Sequence, residues 1–266
     1  MLIAVVLLIG GGALVVWLPY HRNQTAIAEI EKLGGTTESE IVRPAGIPDA
    51  VDDEYLAVFE RVKSVFFFRI QVGDAGLEHL RGLTNLEQLL LDNTQVSDAG
   101  LGHIRGLTNL KTLWLNNTQV TDAGLEHLRG LTSIEDLSLT NTQVTDAGIA
   151  HLRGLSDLWY LSLNGTQLTD AGLERLTNLV NLKELLLRGT NVTDRGLEYL
   201  PSFKNLQILT FDNTQVSDAG LEHLEGLTYL RRLRLDNTQL TQAGIAKLQK
   251  ALPDCEIIWT PPAEKR

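Results

Sequence analysis

The chain has 266 residues, of which 43% are hydrophobic and 21% are charged, as expected for a folded protein of one domain with a short leader. Its formal net charge of −10 at pH 7 argues against a nucleic-acid-binding protein held by phosphate contacts. Cys255 is the only cysteine, which excludes a disulfide within the chain.

An apolar run opens the chain. Residues 2–18 contain no charged or strongly polar side chain, and their number is at the lower end for a helix that spans a membrane. Trp17 and Tyr20 follow where aromatic residues line membrane interfaces. The run therefore predicts a single-pass membrane anchor. Two alternatives remain open, a cleaved signal peptide, for which Ala26 and Ala28 form an A-x-A pattern, and a buried core helix.

Residues 21–50 are predicted to form a short helix and a connector. Ile27, Ile30 and Leu33 share one side of the helix, and Gly34 with Gly35 ends it. The stretch that follows mixes Thr, Ser, Pro and Gly, which is typical of a connector with at most one short strand.

Seven units of 24 residues fill residues 75–242. The first reads AGLEHLRGLTNLEQLLLDNTQVSD, and copies follow without insertion or deletion from Ala99, Ala123, Ala147, Ala171, Arg195 and Ala219. A leucine pattern with this period indicates a solenoid. Every unit has an aliphatic residue or Phe at the same seven offsets, which in the first unit are Leu77, Leu80, Leu83, Leu86, Leu89, Leu91 and Val96.

The spacing of these residues predicts the elements of each unit. Leu89 and Leu91 are two residues apart, as on one face of a strand, whereas Leu77, Leu80 and Leu83 suit one face of a short helix. Each unit is therefore predicted to form a strand, a turn, a helix and a return loop, and to require its neighbours for stability.

Polar columns accompany the apolar ones. Thr94 and its equivalents follow each strand, where hydroxyls bond freed backbone groups. Ser97 and Asp98 are predicted to cap the helix start, and the repeated Gly100 position indicates close packing of neighbouring helices. Left-handed helix ends are predicted at Gly82, Gly106, Gly130, Gly154 and Gly226.

Both ends of the repeat array are predicted to be capped. Residues 51–74 are predicted to be a degenerate N-terminal capping repeat, because apolar residues fall on the repeat columns. Residues 243–266 are predicted to be a C-terminal capping half-repeat and tail, with a last helix and a final strand around Ile257 and Trp259. Two prolines in the tail discourage further strand pairing.

The pattern LxxLxLxxTxVTDAGLxxL is similar to the leucine-rich repeat family, specifically to its 24-residue bacterial type. The resemblance implies an α/β solenoid, a curved right-handed horseshoe with parallel strands on the concave face and short helices on the convex face. It also implies a concave surface that usually binds proteins and, with a leader over residues 1–20, a repeat domain in the periplasm or at the cell exterior. Arg22 and Lys32 behind the apolar run favour a cytoplasmic domain instead.

No motif for phosphate binding, nucleophilic catalysis or zinc proteolysis occurs in the sequence. Helices packed about 8–10 Å apart hold the recurring histidines too far apart for one zinc ion, so a structural or solvent-facing role is expected for His79, His103, His127, His151 and His223. The recurring aspartates from Asp74 to Asp218 are expected to cap helices. We therefore expect no enzyme activity, cofactor or metal site.

The strand positions that vary between units are the candidates for binding. Trp114, Trp159 and Tyr160 are predicted to form an aromatic centre, and Arg188, Arg231, Arg232 and Arg234 a basic end. Aromatic and Arg residues are frequent interface anchors. The predicted concave binding surface therefore consists of Trp114, Trp159, Tyr160, Leu186, Arg188, Ile208, Arg232 and Arg234. The alternative is that aromatics on strands only favour sheet formation. The column of Gln95 and its equivalents is expected to support the stack through amide bonds.

The sequence thus predicts a non-catalytic, membrane-anchored scaffold that binds a protein or another extended polymer through its concave face. The alternative is a structural component of the cell envelope that self-associates and has no specific ligand. Neither the partner nor the oligomeric state follows from the sequence.

Overall fold

The computed structural model describes residues 7–9, 12–14, 17–43, 45, 56–68 and 70–261. The strands are, in chain order, β1 (Leu7–Ile9), β2 (Gly12–Leu14), β3 (Thr36–Ile41), β4 (Glu60–Phe66), β5 (Gln88–Leu90), β6 (Thr112–Trp114), β7 (Asp136–Ser138), β8 (Tyr160–Ser162), β9 (Glu184–Leu186), β10 (Ile208–Thr210), β11 (Arg232–Arg234) and β12 (Glu256–Ile258).

The α-helices are α1 (Trp17–Lys32), α2 (Asp74–Leu77), α3 (Asp98–Leu101), α4 (Asp122–Leu125), α5 (Asp146–Ile149), α6 (Asp170–Leu176), α7 (Asp194–Leu197) and α8 (Gln242–Ala251). Short 3-10 helices complete the units at Ala57–Phe59, Glu78–Leu80, Glu126–Leu128, Leu152–Gly154, Leu200–Ser202 and Asp218–Leu224.

Ten of the strands form one sheet in which each strand lies beside its neighbours in the chain, in the order β12 to β3. The strands from β4 to β12 are parallel, and only β3 runs antiparallel, against β4. Each parallel pair joins residues one repeat apart, such as Leu89 of β5 with Leu113 of β6. The predicted stack of parallel strands with a short helix in each unit is therefore confirmed.

The aliphatic columns form one continuous core along the stack. In β5, Leu89 is fully buried, whereas Gln88 and Leu90 on either side of it face outwards, as the alternation of side chains along a strand requires. The side of the sheet that carries the first and third residues of each short strand is called the open face below.

The turn after each strand is stabilised by the predicted threonines. All seven are buried, and each hydroxyl donates a hydrogen bond of 2.7 Å to the carbonyl oxygen three residues earlier, as Thr94 does to Leu91. The residue before the threonine has a left-handed backbone, Asn in five units and Gly165 and Gly189 in the others, which suits Asn and Gly because of their tolerance of positive φ.

The predicted left-handed helix ends are mostly absent. Gly82 has a φ of +104°, but the prediction is wrong for the four equivalent glycines Gly106, Gly130, Gly154 and Gly226. There the helix ends by a hydrogen bond between residues three apart, such as the 2.9 Å bond from the amide of Leu131 to the carbonyl of Leu128. This bond tightens the last turn. It is also made at Gly82, from the amide of Leu83 to the carbonyl of Leu80 at 3.0 Å, so it does not require a left-handed residue.

The repeated aspartates connect neighbouring units. Asp98 accepts 2.7 Å and 2.6 Å hydrogen bonds from the amide and hydroxyl of Thr121 in the next unit, and the other units repeat this pattern. The prediction of local helix capping by the aspartate is therefore corrected. The hydroxyl performs that task, since Thr121 accepts from the amide of Ala123 at 3.3 Å.

The same contact explains the repeated glycine near each helix start. A Cβ atom on Gly124 would lie 2.5 Å from Oδ1 of Asp98, and one on Gly148 would lie 2.3 Å from Oδ1 of Asp122. The close packing that the sequence predicts is confirmed, and its cause is the carboxylate of the aspartate that begins the preceding helix.

Helix α1 and strand β3 lie against the first end of the stack. The helix begins at Trp17, before the segment over residues 21–50 that is predicted to contain it, and Ala26 and Ile30 are buried in the core cluster. Asn23 donates a 2.8 Å hydrogen bond to the carbonyl of Glu60 at the start of β4. At the other end, α8 and β12 are the last helix and final strand that the sequence predicts.

The apolar run over residues 2–18 lies largely outside the described residues. In its described part, β1 and β2 pair antiparallel, with Leu7 opposite Leu14, and α1 begins at Trp17. None of the helices in the described ranges is long and apolar enough to cross a membrane. The membrane anchor therefore stays a prediction.

Candidate functional site

The structure places all eight predicted binding residues on the open face or at its margins. Trp114, Leu186 and Arg234 are third residues of strands, Tyr160, Ile208 and Arg232 are first residues, Trp159 precedes β8, and Arg188 follows β9. Arg188 and Arg232 are exposed, and the other six are half-buried.

The aromatic centre is only partly continuous. Trp159 and Tyr160 meet edge to face with ring centroids 6.1 Å apart. Trp114 lies two strands away, and its indole N–H donates a 3.0 Å hydrogen bond to Asp136 on the intervening strand β7. Since this hydrogen bond holds the indole N–H, Trp114 presents an oriented ring to the open face.

A depression of about 370 Å³ lies between Trp114 and Tyr160. We call it the central depression. It is lined by Phe68, Asp92, Asn93, Trp114, Asn116, Asn117, Ser138, Thr140, Tyr160, Ser162 and Asn164. Two of the eight predicted residues therefore line it, and the other six do not.

Hydrogen bonds between units fix the polar floor of the central depression. Ser138 and the amide of Thr140 both donate to Oδ1 of Asn116, at 2.5 Å and 2.9 Å. The hydroxyls of Thr140 and Ser162 bond each other at 2.7 Å, and Asp92 accepts from the amide of Asn116 at 3.0 Å. The floor is preorganised, so a ligand meets polar groups that are already in place.

Acidic side chains lie beside the aromatic residues, and the pKa values of Asp136, Glu184 and Tyr160 are all raised. Asp136 and Glu184 flank Tyr160 in register on the neighbouring strands. Burial raises the pKa of Asp136, which the Trp114 hydrogen bond partly opposes. Burial and then the Asp136 charge raise the pKa of Glu184, and burial followed by both carboxylates raises that of Tyr160.

Asp92 is the most enclosed of these acids. It is 6% exposed, and burial raises the pKa of its carboxyl against the opposing hydrogen bond from Asn116. Among the described residues, neither Asp92, Asp136 nor Glu184 has a cationic group within ion-pair distance. Asp92 lines the central depression, and within the described part of the chain its negative charge and those of the nearby Asp136 and Glu184 are not paired.

The predicted basic end is largely neutralised. Arg232 pairs with Glu256 at 2.9 Å, and Arg234 pairs with Asp212 at 3.1 Å and with Asp236 at 3.3 Å. Only Arg188 and Arg231 of the four arginines have no such pair among the described residues. This end of the open face is thus an ion-pair network rather than a positive patch.

The sequence reasoning missed Asp92, Asp136, Glu184 and Phe68 as candidate site residues. The signal for Asp136 and Glu184 was their place in the varying strand column beside Tyr160. Asp92 carried no comparable signal, because its neighbourhood is repeated elsewhere in the chain. Phe68 is 56% exposed and lies before the first complete unit, so it belongs to none of the strand columns of the seven units.

The other recurring columns do not form a site in the described part of the chain. The five histidines are partly exposed, and His151 accepts a 2.9 Å hydrogen bond from Arg129. No three His, Cys, Asp or Glu side chains come together there to hold a metal ion. In the glutamine column Gln95 bonds Gln71, whereas bonds between later units join the asparagines, as from Asn141 to Asn117 at 2.9 Å.

Comparisons with known proteins agree with this architecture. A model of leucine-rich repeats in two copies matches residues 84–130 and 108–152, and a leucine-rich repeat model matches residues 178–200. The search of curated proteins found no match. Among solved structures, the crystal structure of an internalin C2 from Listeria monocytogenes covers 88% of this chain and 92% of its own, with 27% identity and a TM-score of 0.62. The chain therefore has the fold of a leucine-rich repeat solenoid, and the family matches support its placement among the leucine-rich repeat proteins.

Proposed function

We propose that this protein is a non-catalytic scaffold that binds a protein through the open face of its sheet, the concave face of a leucine-rich repeat solenoid. The observation that carries the proposal is the central depression, in which Trp114 and Tyr160 stand over a floor of hydrogen-bonded polar groups. Aromatic anchors at the centre of a rigid surface are the usual source of binding energy in protein interfaces.

The rigidity of the open face favours binding over an incidental role of its aromatics. The backbone amides of the turns are bound by side chains of the preceding unit, as Asn116 is by Asp92, and Trp114 is bound to Asp136. Because these side chains are already fixed, few of them lose conformational freedom when a partner binds, which lowers the entropic cost of association. A stable complex needs about 800 Å² on each partner, so the partner has to contact strands on both sides of the depression.

The alternative function is self-association through the edges of the sheet. Strands β3 and β12 each have one neighbour in the sheet. However, β3 carries the exposed Glu38 and Glu40, and Pro261 follows β12. Charged residues and proline at sheet edges oppose strand addition. The open face is therefore the better supported surface.

The test is capture of a partner by purified full-length protein, with chemical cross-linking and identification of the cross-linked residues. Trp114→Ala and Tyr160→Ala are expected to lose the capture, and Tyr229→Ala is the matched control, since Tyr229 is 69% exposed and does not line the depression. Capture that survives both first variants would refute this assignment. Concentration-dependent association of the chain with itself in sedimentation, with cross-links at β3 or β12, would support the alternative.

We further propose that the apolar run over residues 2–18 directs the chain to a membrane and that the repeats are exported to the periplasm or cell exterior. The length and composition of the run and the leucine-rich repeat resemblance support this. Protease digestion of intact cells, with the mature N-terminus determined on the same sample, tests it. Digestion with residues 1–20 retained is expected for an anchored, exported protein. A mature N-terminus beyond the run would indicate a cleaved signal peptide, and protection after the envelope is opened would indicate a cytoplasmic protein.

A further inference from the structure

We propose that the central depression receives the guanidinium group of an arginine side chain presented by a protein partner. This inference rests on the proposed function, because it specifies the chemistry of the ligand at the same face. It begins from Asp92, which is 6% exposed and lines the depression without a cationic partner among the described residues. A carboxylate buried in this way costs free energy unless an opposite charge accompanies it.

The chain itself shows how such a carboxylate is neutralised. Asp212 has the same position five units later, is 4% exposed and accepts the amide of Asp236 at 3.0 Å, as Asp92 accepts the amide of Asn116. Asp212 also receives the guanidinium of Arg234, whose Nε lies 3.1 Å from its Oδ2. One of the two equivalent acids therefore has an internal arginine.

The residue that corresponds to Arg234 beside Asp92 is Trp114. Both are third residues of the strand that follows the acid, in β11 and β6 respectively. Where the chain places a guanidinium on Asp212, it places an indole whose N–H bonds Asp136 on the next strand, and Trp114 and Asp92 line the same open depression. An arginine from a partner, stacked on the indole, would complete at Asp92 the pair that Arg234 makes at Asp212.

The walls of the depression suit a cation rather than a neutral apolar group. Trp114 and Tyr160 supply aromatic faces, which attract guanidinium groups through their π electrons. Asp136 and Glu184 lie behind this lining, flanking Tyr160 in register, and add negative charge that no cation of the described ranges pairs with. Burial raises the pKa of all three carboxyls, and a bound cation would lower these values again.

The experiment uses full-length protein labelled with ¹⁵N and two small probes, N-acetyl-arginine amide and its neutral isostere N-acetyl-citrulline amide. The chain has 4 tryptophans, so the Trp114 indole N–H signal can be assigned with Trp114→Phe. We expect the arginine probe to shift this signal saturably and to bind at least about tenfold more tightly than the citrulline probe, a difference of about 1.4 kcal/mol.

Three variants distinguish charge from shape. Asp92→Asn and Glu184→Gln each remove a carboxylate with little change of volume and are expected to weaken the arginine probe severalfold, which the citrulline probe should not follow. Asp254→Asn removes the same negative charge at an exposed residue away from the depression and is expected to leave binding unchanged. Urea unfolding confirms that each variant is folded.

Two results would overturn the inference. Equal affinities for the two probes would mean that the depression has no preference for cations, and an unchanged affinity of Asp92→Asn together with Glu184→Gln would mean that these acids do not bind the guanidinium. Neither result contradicts the proposed function as long as partner capture still depends on Trp114. Loss of that dependence with intact arginine binding would instead leave a cation site without the proposed scaffold role.

Discussion

The two equivalent acids Asp92 and Asp212 are expected to respond in opposite directions when their charge is removed. Asp92→Asn keeps an oxygen acceptor for the amide of Asn116, 3.0 Å away, and removes a carboxylate that is 6% exposed and has no cation among the described residues. Burying an unpaired ion costs several kcal/mol, and weakening of the charge-assisted hydrogen bond costs about 1 kcal/mol. We therefore expect the free energy of unfolding to rise by about 1 kcal/mol or more.

Asp212→Asn has the opposite expectation. It removes the charge that Arg234 contacts at 3.1 Å, so the guanidinium keeps only its 3.3 Å pair with Asp236. Loss of a hydrogen bond between charged groups costs about 1.5–3 kcal/mol. The two variants have the same chemical change at the same position of the repeat, so each is the control for the other.

Urea unfolding followed by circular dichroism measures both effects, provided that the slope of the transition is unchanged between variants. With a slope of about 3 kcal/mol/M, each kcal/mol shifts the midpoint by roughly 0.3 M. Asp92→Asn should move the midpoint upwards and Asp212→Asn downwards. A loss of stability in both variants would show that the buried Asp92 charge is already compensated within the protein, and Asp92 would then require no external cation.

Three other predictions follow from the contacts between and within units. Gly148→Ala should destabilise the protein by about 1–3 kcal/mol, because its Cβ would lie 2.3 Å from Oδ1 of Asp122. Gly130→Ala is the control and should be nearly neutral, because its Cβ would lie in open space. Thermal unfolding of the two variants measures the difference. Thr142→Val removes a buried 2.7 Å hydrogen bond and should lower the free energy of unfolding by about 1–3 kcal/mol, and an unchanged urea midpoint would contradict this. Binding of the arginine probe should weaken as pH falls, because protonation removes the carboxylate charge. Since burial raises the pKa of Asp92, this weakening should begin at a higher pH than it would with an ordinary carboxyl group. Titrations of the indole signal with the probe at several pH values test the direction.

Much of the fold follows from the periodicity of the sequence. Leu89 and Leu91 alternate with outward residues and Leu77 and Leu80 lie on one helix face, so the two periods separate strand from helix within each unit. The threonine turns are equally local, since each hydroxyl bonds a carbonyl three residues earlier in the same unit. Such contacts need no knowledge of the neighbouring unit.

Contacts between units were predicted less well. Asp98 bonds Thr121 rather than its own helix, and only the stacked structure reveals that Gly124 is small because this carboxylate lies against it. The helix ends also differ from the prediction, since Gly130 does not have a left-handed backbone. The carboxylate contacts of Asp98 depend on residues about one repeat away, which the periodicity of one unit does not reveal.

The central depression shows the same division. The sequence determined by itself that Trp114 and Tyr160 lie on the open face, because their strand positions are set by the leucines between which they stand. It did not distinguish Asp92 from Asp212, since both begin the identical segment DNTQVSDAGL. Only the tertiary structure decided that Arg234 neutralises Asp212 and that, in the part of the chain it describes, no cation takes that place at Asp92. The reason is that a carboxylate's electrostatic environment depends on the strand beside it, and in a solenoid that strand belongs to the next unit.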